Sequence, residues 1–251
     1  MGPTRIALLT PNAELPGEYL DAASDAAAEL LLWMIVTEAP DSHEIADLLA
    51  MGETRPLSEA AFRAVRWHAD AVVWACTSGS FVCGREGSRR QVELLSEVAG
   101  CPATSTSLAF VAALVALGVK DVSILSPYPE PATQAFERYL ADWGIAVSNS
   151  FSLNHPGAGS SRTITAAEVK EMATDLGRTE PLLIPDTAVW GFELLRELGG
   201  IVRQPILVAN QVTLWHGVQT ANVSTNIAAL GVLRGLQGPS VRDLFELGGV
   251  T

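Results

Sequence analysis

The segment Val72-Val-Trp-Ala-Cys-Thr-Ser78 joins a short apolar run to a cysteine and two hydroxyl residues. Short apolar runs with little polar alternation are typical of strands that are buried on both faces of a parallel sheet. A second segment, Leu182-Leu-Ile-Pro-Asp-Thr-Ala188, repeats this pattern with an aspartate in place of the cysteine. The two segments therefore predict two similar sheets, each with a buried strand that ends in a reactive side chain.

Two further pairs of segments support an internal duplication. Ile6-Ala-Leu-Leu-Thr-Pro-Asn-Ala-Glu14 parallels Val122-Ser-Ile-Leu-Ser-Pro-Tyr-Pro-Glu130, and Cys101-Pro-Ala103 parallels Gln204-Pro-Ile206. The three pairs are offset by 116, 110 and 103 residues and follow one another in consistent order. Self-similarity of this kind indicates repeated structural units, so we expect two similar α/β lobes.

The rest of the chain alternates apolar runs with amphipathic stretches. The predicted strands are Arg5–Leu9, Leu31–Val36, Ala71–Ala75, Val122–Leu125, Ala146–Ser150, Leu182–Ile184 and Ile206–Val208. The predicted helices are Glu59–His68, Arg89–Ala99, Leu108–Leu117, Thr133–Trp143, Ala166–Leu176, Phe192–Leu198 and Gln211–Val218. Alternation of this kind favours an α/β fold with mostly parallel sheets, flanking helices and right-handed crossovers.

The predicted domain limits follow from the duplication. We expect a first lobe over residues 1–115 and a second lobe over residues 116–210. The C-terminal segment 211–251 is expected to return to the first lobe. Residues 156–161, Pro-Gly-Ala-Gly-Ser-Ser, form the most loop-like stretch.

The charge balance of the chain restricts its partners. Sixteen basic residues stand against 28 acidic ones, for a net charge of −12 over 251 residues. Nucleic acid and anionic membrane surfaces are poor partners for such a chain, because both need a basic face. A small anionic substrate is still compatible, since backbone N–H groups and hydroxyls can bind a carboxylate locally.

The cysteines and the N-terminal sequence indicate a compartment. The three cysteines are an odd number without metal-site spacing, which argues against a disulfide framework and against a zinc site. The N-terminus lacks the apolar region of a signal peptide, and the longest apolar run, Leu30–Val36, is far too short to span a bilayer. We expect a soluble, cytoplasmic protein.

Polar side chains follow several of the predicted strands. In open α/β sheets, ligands bind outside the carboxyl ends of the strands. Such positions are held by Asn12, by Cys76, Thr77 and Ser78, by Tyr128, and by Asp186 and Thr187. If the lobes face each other about a pseudo-twofold axis, Cys76 and Asp186 would approach one ligand from opposite sides.

Each of these residues also has a purely structural interpretation. The hydroxyls and N–H groups after Cys76 could favour a thiolate, but free cysteines are often small core residues. Asp186 could be an acid–base group or the N-cap of the helix near residues 190–198. Tyr128 could donate to a ligand oxygen or be an ordinary loop aromatic, and Asn12 could bind a carboxylate or serve a turn.

Other candidate motifs point to no further chemistry. Cys83 and Cys101 lack a comparable context and are predicted to be structural. His216 is predicted to be a helix-packing histidine. Neither Gly-x-Gly-x-x-Gly nor a P-loop follows any predicted strand, so NAD and ATP are unsupported as cofactors.

Three motifs together resemble a known superfamily. Trp74-Ala-Cys-Thr-Ser-Gly-Ser-Phe81, Leu125-Ser-Pro-Tyr128 and Asn210-Gln-Val-Thr-Leu-Trp-His216 are similar to the Asp/Glu racemase superfamily, in the branch of maleate cis-trans isomerase and arylmalonate decarboxylase. The resemblance spans nearly the whole chain. It implies two Rossmann-like lobes, no cofactor and no metal, and an active site at the lobe interface. Members of the superfamily generally use one cysteine from each lobe, on opposite faces of the substrate.

The resemblance carries over to individual residues only in part. Cys76 falls on the first-lobe cysteine, which is the nucleophile of the isomerases and is absent from the decarboxylases. Asp186 falls on the second-lobe position, where both groups have cysteine. The resemblance implies that Thr77, Ser78 and Tyr128 hold a substrate carboxylate, and that Thr187 contributes a backbone N–H. In the isomerases an asparagine comes three residues after the proline of the N-terminal loop, but here Glu14 has that spacing and Asn12 is nearer.

These observations lead to three functional hypotheses. The first is a cofactor-independent isomerase or racemase of a small carboxylate or dicarboxylate, with Cys76 as nucleophile or base and Asp186 as the opposing acid–base group. Its intermediate would be an enediolate or a covalent thioether. The second is a decarboxylase of a substituted malonate, with Cys76 as the proton donor. The third is a non-catalytic carboxylate-binding protein. A homo-oligomer is plausible in each case.

Overall fold

Two four-stranded parallel sheets form the framework of the protein. The computed structural model describes residues 2–11, 16–27, 29–176, 179–223 and 226–247. Within these ranges the strands are β1 (Thr4–Thr10), β2 (Leu30–Val36), β3 (Ala71–Trp74), β4 (Ala103–Ser105), β5 (Asp121–Ser126), β6 (Ala146–Ser152), β7 (Leu182–Ile184) and β8 (Ile206–Val208). The first sheet has the order β2-β1-β3-β4 and the second the order β6-β5-β7-β8.

Helices connect and cover these strands. They are α1 (Pro16–Ala22), α2 (Ile45–Met51), α3 (Thr54–Arg66), α4 (Ser78–Phe81), α5 (Gly84–Ala99), α6 (Thr106–Leu117), α7 (Glu130–Ala141), α8 (Ala158–Ser161), α9 (Ala166–Leu176), α10 (Gly191–Leu198), α11 (Ala209–Thr220) and α12 (Val241–Leu247). Short 3-10 helices cover Ser24–Ala26 and Ala228–Leu233. The predicted fold class, α/β with two similar parallel sheets, is confirmed.

The two sheets share one topology. In each sheet the first strand of the sequence is an inner strand, and the second pairs with it on one side. The third strand pairs with it on the other side, and the fourth lies beyond the third, at the edge. Every strand pair is parallel. The repeated segments of the sequence therefore mark equivalent strands: β1 with β5, β3 with β7, and β4 with β8. The duplication predicted from the sequence is present in the fold.

One strand was not among the predicted ones. β4 contains only Ala103, Thr104 and Ser105, and pairs on one side with β3. A three-residue strand with two hydroxyl side chains lacks the apolar run that identifies a buried strand. The repeat nevertheless pointed to it, because the segment Cys101-Pro-Ala103 parallels the residues that lead into β8.

The helices α6 and α11 bury nearly all of their surface. Residues 106–114 of α6 and 209–218 of α11 are buried, as expected for helices that are enclosed on all sides. The two helices pack against each other, and Thr106 and Thr213 share a hydrogen bond of 2.7 Å. α11 also contacts β3 and β4. These contacts are consistent with a C-terminal segment that returns to the first lobe, while the limits 1–115 and 116–210 stay a prediction.

The close contact between α11 and the first sheet depends on a glycine. A Cβ atom at Gly217 would lie 2.9 Å from Val73 Cγ2. We therefore expect Gly217→Ala to lower the free energy of unfolding by about 1–3 kcal/mol, because overpacking outweighs the better helix propensity of alanine. Urea denaturation measures the change, and Glu97→Ala, at an exposed position of α5, should shift stability by less than about 0.5 kcal/mol. Equal or greater stability of Gly217→Ala would contradict this packing.

Candidate active site

Cys76 and Asp186 occupy equivalent positions in the two sheets. Cys76 comes two residues after the end of β3, and Asp186 two residues after the end of β7. Only 2% of Cys76 and 5% of Asp186 is exposed to solvent. Tyr128 connects the surroundings of the two residues: its hydroxyl donates to the Pro185 carbonyl next to Asp186, and its ring packs against Phe81, at the end of the short helix that follows Cys76.

Main-chain contacts fix the segment that carries Cys76. The Gly79 N–H donates to Cys76 Sγ at 3.3 Å. A Cβ atom at Gly79 would lie 3.2 Å from this sulfur, so glycine permits the close approach. Ser107 Oγ donates to the Thr77 carbonyl at 2.7 Å, and Gln91 Nε2 donates to the Gly79 carbonyl at 2.7 Å. Side chains of α5 and α6 therefore hold the cysteine loop in place.

The ionisation of Cys76 differs from the expectation based on its neighbours in the sequence. Burial raises the pKa of the Cys76 thiol to about 12, although hydrogen bonds from Gly79 and Ser78 act in the opposite direction. The nearby Asp186 carboxylate raises this pKa further. The polar run after Cys76 does act in favour of the thiolate, as expected, but burial outweighs it. In the resting site Cys76 carries its proton.

Asp186 does not cap a helix. Its Oδ1 atom accepts a hydrogen bond from the Ala188 N–H at 2.9 Å, which is a local turn contact. α10 begins at Gly191, and the carboxylate of Glu18 accepts from the Phe192 N–H at its start. The N-cap interpretation of Asp186 is thus wrong. Asp186 Oδ2 is buried and makes no hydrogen bond of normal geometry within the described part of the chain.

Tyr128 lies between the two strand ends. Its hydroxyl donates to the Pro185 carbonyl at 2.5 Å, next to Asp186. Burial raises the pKa of Tyr128, and the charges of Asp186 and Cys76 raise it further, while the Ser78 and Thr77 hydroxyls act in the opposite direction. Tyr128 therefore brings the predicted hydroxyl residues of the first lobe close to the carboxylate of the second.

The hydroxyls of Thr77 and Ser78 lie beside Cys76. Both side chains are buried. Thr77 Oγ1 forms no hydrogen bond of normal geometry among the described residues. A buried hydroxyl without a partner costs free energy, which a bound polar ligand would recover. Thr187 is buried next to Asp186.

The structure adds a residue that sequence reasoning missed. His43, which precedes α2, reaches the end of β7, where its Nε2 atom lies 3.5 Å from Asp186 Oδ2. Its ring also packs edge-on against Tyr128, with 4.8 Å between the ring centres. No motif or spacing in the sequence connects His43 to Asp186. Only the meeting of the two lobes brings them together.

The remaining candidates from the sequence have different outcomes. Asn12 lies outside the described residues. His216 packs in α11, where Nδ1 shares a hydrogen bond with Thr104 and burial lowers its pKa to about 4, in agreement with the predicted packing role. Cys83 and Cys101 are free, partly buried thiols, and burial raises the pKa of each.

Searches for metal ligands and membrane segments gave two further findings. The described residues contain no group of three or more His, Cys, Asp or Glu side chains that could hold a metal ion. No helix within the described ranges has both the length and the hydrophobicity required to cross a bilayer.

Comparison with known proteins identifies the lineage of this site. A family model described as arylmalonate decarboxylase matches residues 55–234, well over half of the chain. No curated protein matches the chain.

Solved structures share the fold at low sequence identity. Maleate isomerase from Pseudomonas putida S16 superimposes with a TM-score of 0.82 at 16% identity, covering 92% of this chain and 98% of the other. A cysteine-to-serine mutant of Nocardia farcinica maleate cis-trans isomerase, with a covalently bound succinylcysteine intermediate, gives 0.83 at 19% identity, covering 92% and 98%. Arylmalonate decarboxylase gives 0.70 at 18% identity, covering 96% and 99%.

The raised pKa of Cys76 can be tested by alkylation. Because only the thiolate reacts with iodoacetamide, we expect Cys76 in the native protein at pH 8 to be labelled at least about 100-fold more slowly than free cysteine. Mass spectrometry of the Cys76 peptide measures the rate. Asp186→Asn should accelerate labelling, because it removes a charge that raises the thiol pKa. Labelling of the unmodified native protein at the rate of free cysteine would contradict the assignment.

Proposed function

Because the chain belongs to the arylmalonate decarboxylase family, we propose that it is a cofactor-independent isomerase or racemase of a small carboxylate. The observation that supports the proposal is that Cys76 and Asp186 are both buried and both follow equivalent strands of the two sheets. The Cys76 thiol, whose pKa is raised to about 12, holds a proton that it can donate, and Asp186 is proposed as the acceptor. A donor and an acceptor that approach from different lobes suit a proton transfer across one carbon atom.

The substrate carboxylate is proposed to bind to the hydroxyls of Thr77 and Ser78, and to the Tyr128 hydroxyl once its O–H turns from the Pro185 carbonyl that it contacts in this structure. Removal of a proton next to a carboxylate gives an enediolate, whose second negative charge is costly in a buried site. Preorganised donors that face this charge typically contribute a few kcal/mol each. The unpartnered Thr77 hydroxyl and the buried Ser78 side chain support this assignment. The Thr187 N–H is proposed as an additional donor.

The proton movements follow from these assignments. Asp186 accepts the proton from the carbon next to the carboxylate, and the electron pair of the broken C–H bond spreads over the enediolate. The Cys76 S–H then protonates the opposite face of the same carbon, which inverts its configuration. An alternative is addition of Cys76 to a double bond, but this requires a thiolate. The raised thiol pKa therefore favours the enediolate route.

A decarboxylase is the second candidate function. The family description favours it, and so does the protonated thiol. Loss of CO₂ from a substituted malonate leaves the same enediolate, and Cys76 would supply the proton that completes the product. This reaction requires a proton donor but no base. Asp186 would then be dispensable for chemistry, whereas racemisation needs both groups.

We also make proposals about the compartment and the oligomeric state of the protein. We expect it to act in the cytoplasm, where its three free cysteines would stay reduced. We also expect it to bind its carboxylate or dicarboxylate substrate as a homo-oligomer.

Incubation in D₂O separates the candidate functions. The substrates are maleate, a chiral 2-substituted carboxylate and a substituted malonate. We expect deuterium to enter the position next to the carboxylate of the chiral substrate without loss of CO₂, measured by NMR. Release of CO₂ from the malonate, without exchange in the chiral acid, would support the decarboxylase. If no substrate in the panel shows exchange, isomerisation or CO₂ release, the enzymatic proposal is contradicted and a carboxylate-binding role is favoured.

Substitution of the thiol tests the role of Cys76. We expect Cys76→Ser to lower turnover by about 100-fold or more, because a serine hydroxyl is a far weaker acid than a thiol. Cys101→Ser is the matched control, since Cys101 is also a free, partly buried thiol and, unlike Cys83, makes no contact with Gly79 of the cysteine loop; its turnover should stay within about 2-fold of wild type. Undiminished turnover of Cys76→Ser would exclude the proposed role.

A further inference from the structure

His43 stands against Asp186 although it comes from the other lobe. Its side chain is only 6% exposed, and its Nε2 atom is 3.5 Å from Asp186 Oδ2. This carboxylate oxygen otherwise lacks a hydrogen bond of normal geometry among the described residues. A buried carboxylate oxygen needs a positive or donating partner. His43 is the group placed to provide one.

The segment that carries His43 is firmly held by the second lobe. The His43 N–H donates to the Pro156 carbonyl at 2.7 Å, and the Gly159 N–H donates to Asp41 Oδ1 at 3.1 Å. A Cβ atom at Gly157 would lie 2.5 Å from Asp41 Oδ1. Glycine therefore allows the two loops to approach. Residues 156–161, which the sequence predicted as loop-like, fold over Ala158–Ser161 into the short helix α8, and this turn and helix fix the position of the histidine.

A backbone carbonyl selects one form of the His43 ring. Nδ1 lies 2.9 Å from the His155 carbonyl oxygen. A carbonyl oxygen can only accept, so Nδ1 carries a hydrogen in this contact. Nε2 therefore donates to Asp186 Oδ2 only when the ring carries a second proton, and otherwise its lone pair can accept a proton that Asp186 has taken up. The ring is oriented to take up a proton from the carboxyl side.

We propose that His43 and Asp186 act as one acid–base pair, in which His43 is a positioning residue that takes over the proton accepted by Asp186. This inference rests on the proposed function. The C–H bond of the substrate breaks, its proton moves to Asp186 Oδ2 and then to His43 Nε2, and its electron pair stays on the enediolate. The Cys76 S–H bond breaks as its proton forms the new C–H bond. Exchange with water then returns a proton to the thiolate and removes one from the imidazolium.

Pairing with His43 would make Asp186 a more effective base. A lone carboxylate is a weak base, and proton transfer is most effective when the base is tuned near the working pH. An imidazole that removes the proton restores the carboxylate and makes the pair a stronger base than Asp186 alone. The resulting imidazolium also offsets the negative charge of the enediolate and of the Cys76 thiolate.

The other titratable groups around the pair do not offer this function. Cys76 and Tyr128 face Asp186 from the ends of β3 and β5, but the pKa of each is raised, so both stay protonated. His155 contributes its backbone carbonyl, while its ring interacts with Glu168. Asp41, on the same loop as His43, binds the Gly159 N–H.

The test is the pH dependence of substrate exchange. Rates of deuterium exchange at the carbon next to the carboxylate are measured from pH 4 to pH 9 for wild type, His43→Asn and His68→Asn. His68 is an exposed histidine with a positive φ of 55°, a conformation that asparagine tolerates. For His43→Asn we expect a loss of at least 10-fold near neutral pH and a shift of the acidic limb to lower pH by one unit or more. His68→Asn should match wild type.

Further variants separate the possible failures. If His43→Asn does not fold, His43→Gln and the isosteric Asp186→Asn take its place. The pH profile of deuterium exchange for Asp186→Asn must then lack the acidic limb that wild type shows. The double variant His43→Gln/Asp186→Asn should be no slower than Asp186→Asn. Wild-type exchange with an unchanged profile in the folded His43 variant, or a wild-type acidic limb kept by Asp186→Asn, would overturn the pair. A wild type that shows no exchange at all would instead overturn the proposed racemase or isomerase.

Discussion

Exclusion of water from the meeting point of two sheets is the constraint on which this site depends. A thiol, a phenol, a carboxylate and an imidazole are buried together there, and each additional charge in such a place is costly. Burial therefore raises the pKa of Cys76 and of Tyr128 and favours their protonated forms. The low local dielectric of a buried site also strengthens every hydrogen bond to a developing enediolate.

Much of the fold could be predicted because its strands carry a strong signal. Seven of the eight strands were predicted, most of them from apolar runs although β6 is largely polar and has no buried residue, and the repeat predicted two sheets of one topology. The exception, β4, is too short and too polar to be recognised by its own sequence. The repeat also predicted that Cys76 and Asp186 share a site, because both follow equivalent strands. The family resemblance implies a cysteine at the second-lobe position, whereas this chain has Asp186 there.

The sequence could not give the ionisation of Cys76 or the position of His43. The donors that favour a thiolate, Gly79 and Ser78, are close to Cys76 in the sequence and can be recognised there. The burial that outweighs them arises only from the packing of the folded chain. His43 meets Asp186 through loops fitted together at Gly157 and Gly159. A contact of that kind, between distant segments without a shared motif, has no local signature.

The central claim is that Cys76 and Asp186 approach one substrate carbon from opposite faces. A crystal structure with a bound unreactive analogue of a 2-substituted malonate tests it most directly. The account predicts a carboxylate on the hydroxyls of Thr77 and Ser78, with Tyr128 turned from Pro185 to join them, and the central carbon about 3.5 Å from both Cys76 Sγ and an Asp186 carboxylate oxygen. A ligand bound away from these hydroxyls, or with both groups on one face of that carbon, would contradict it.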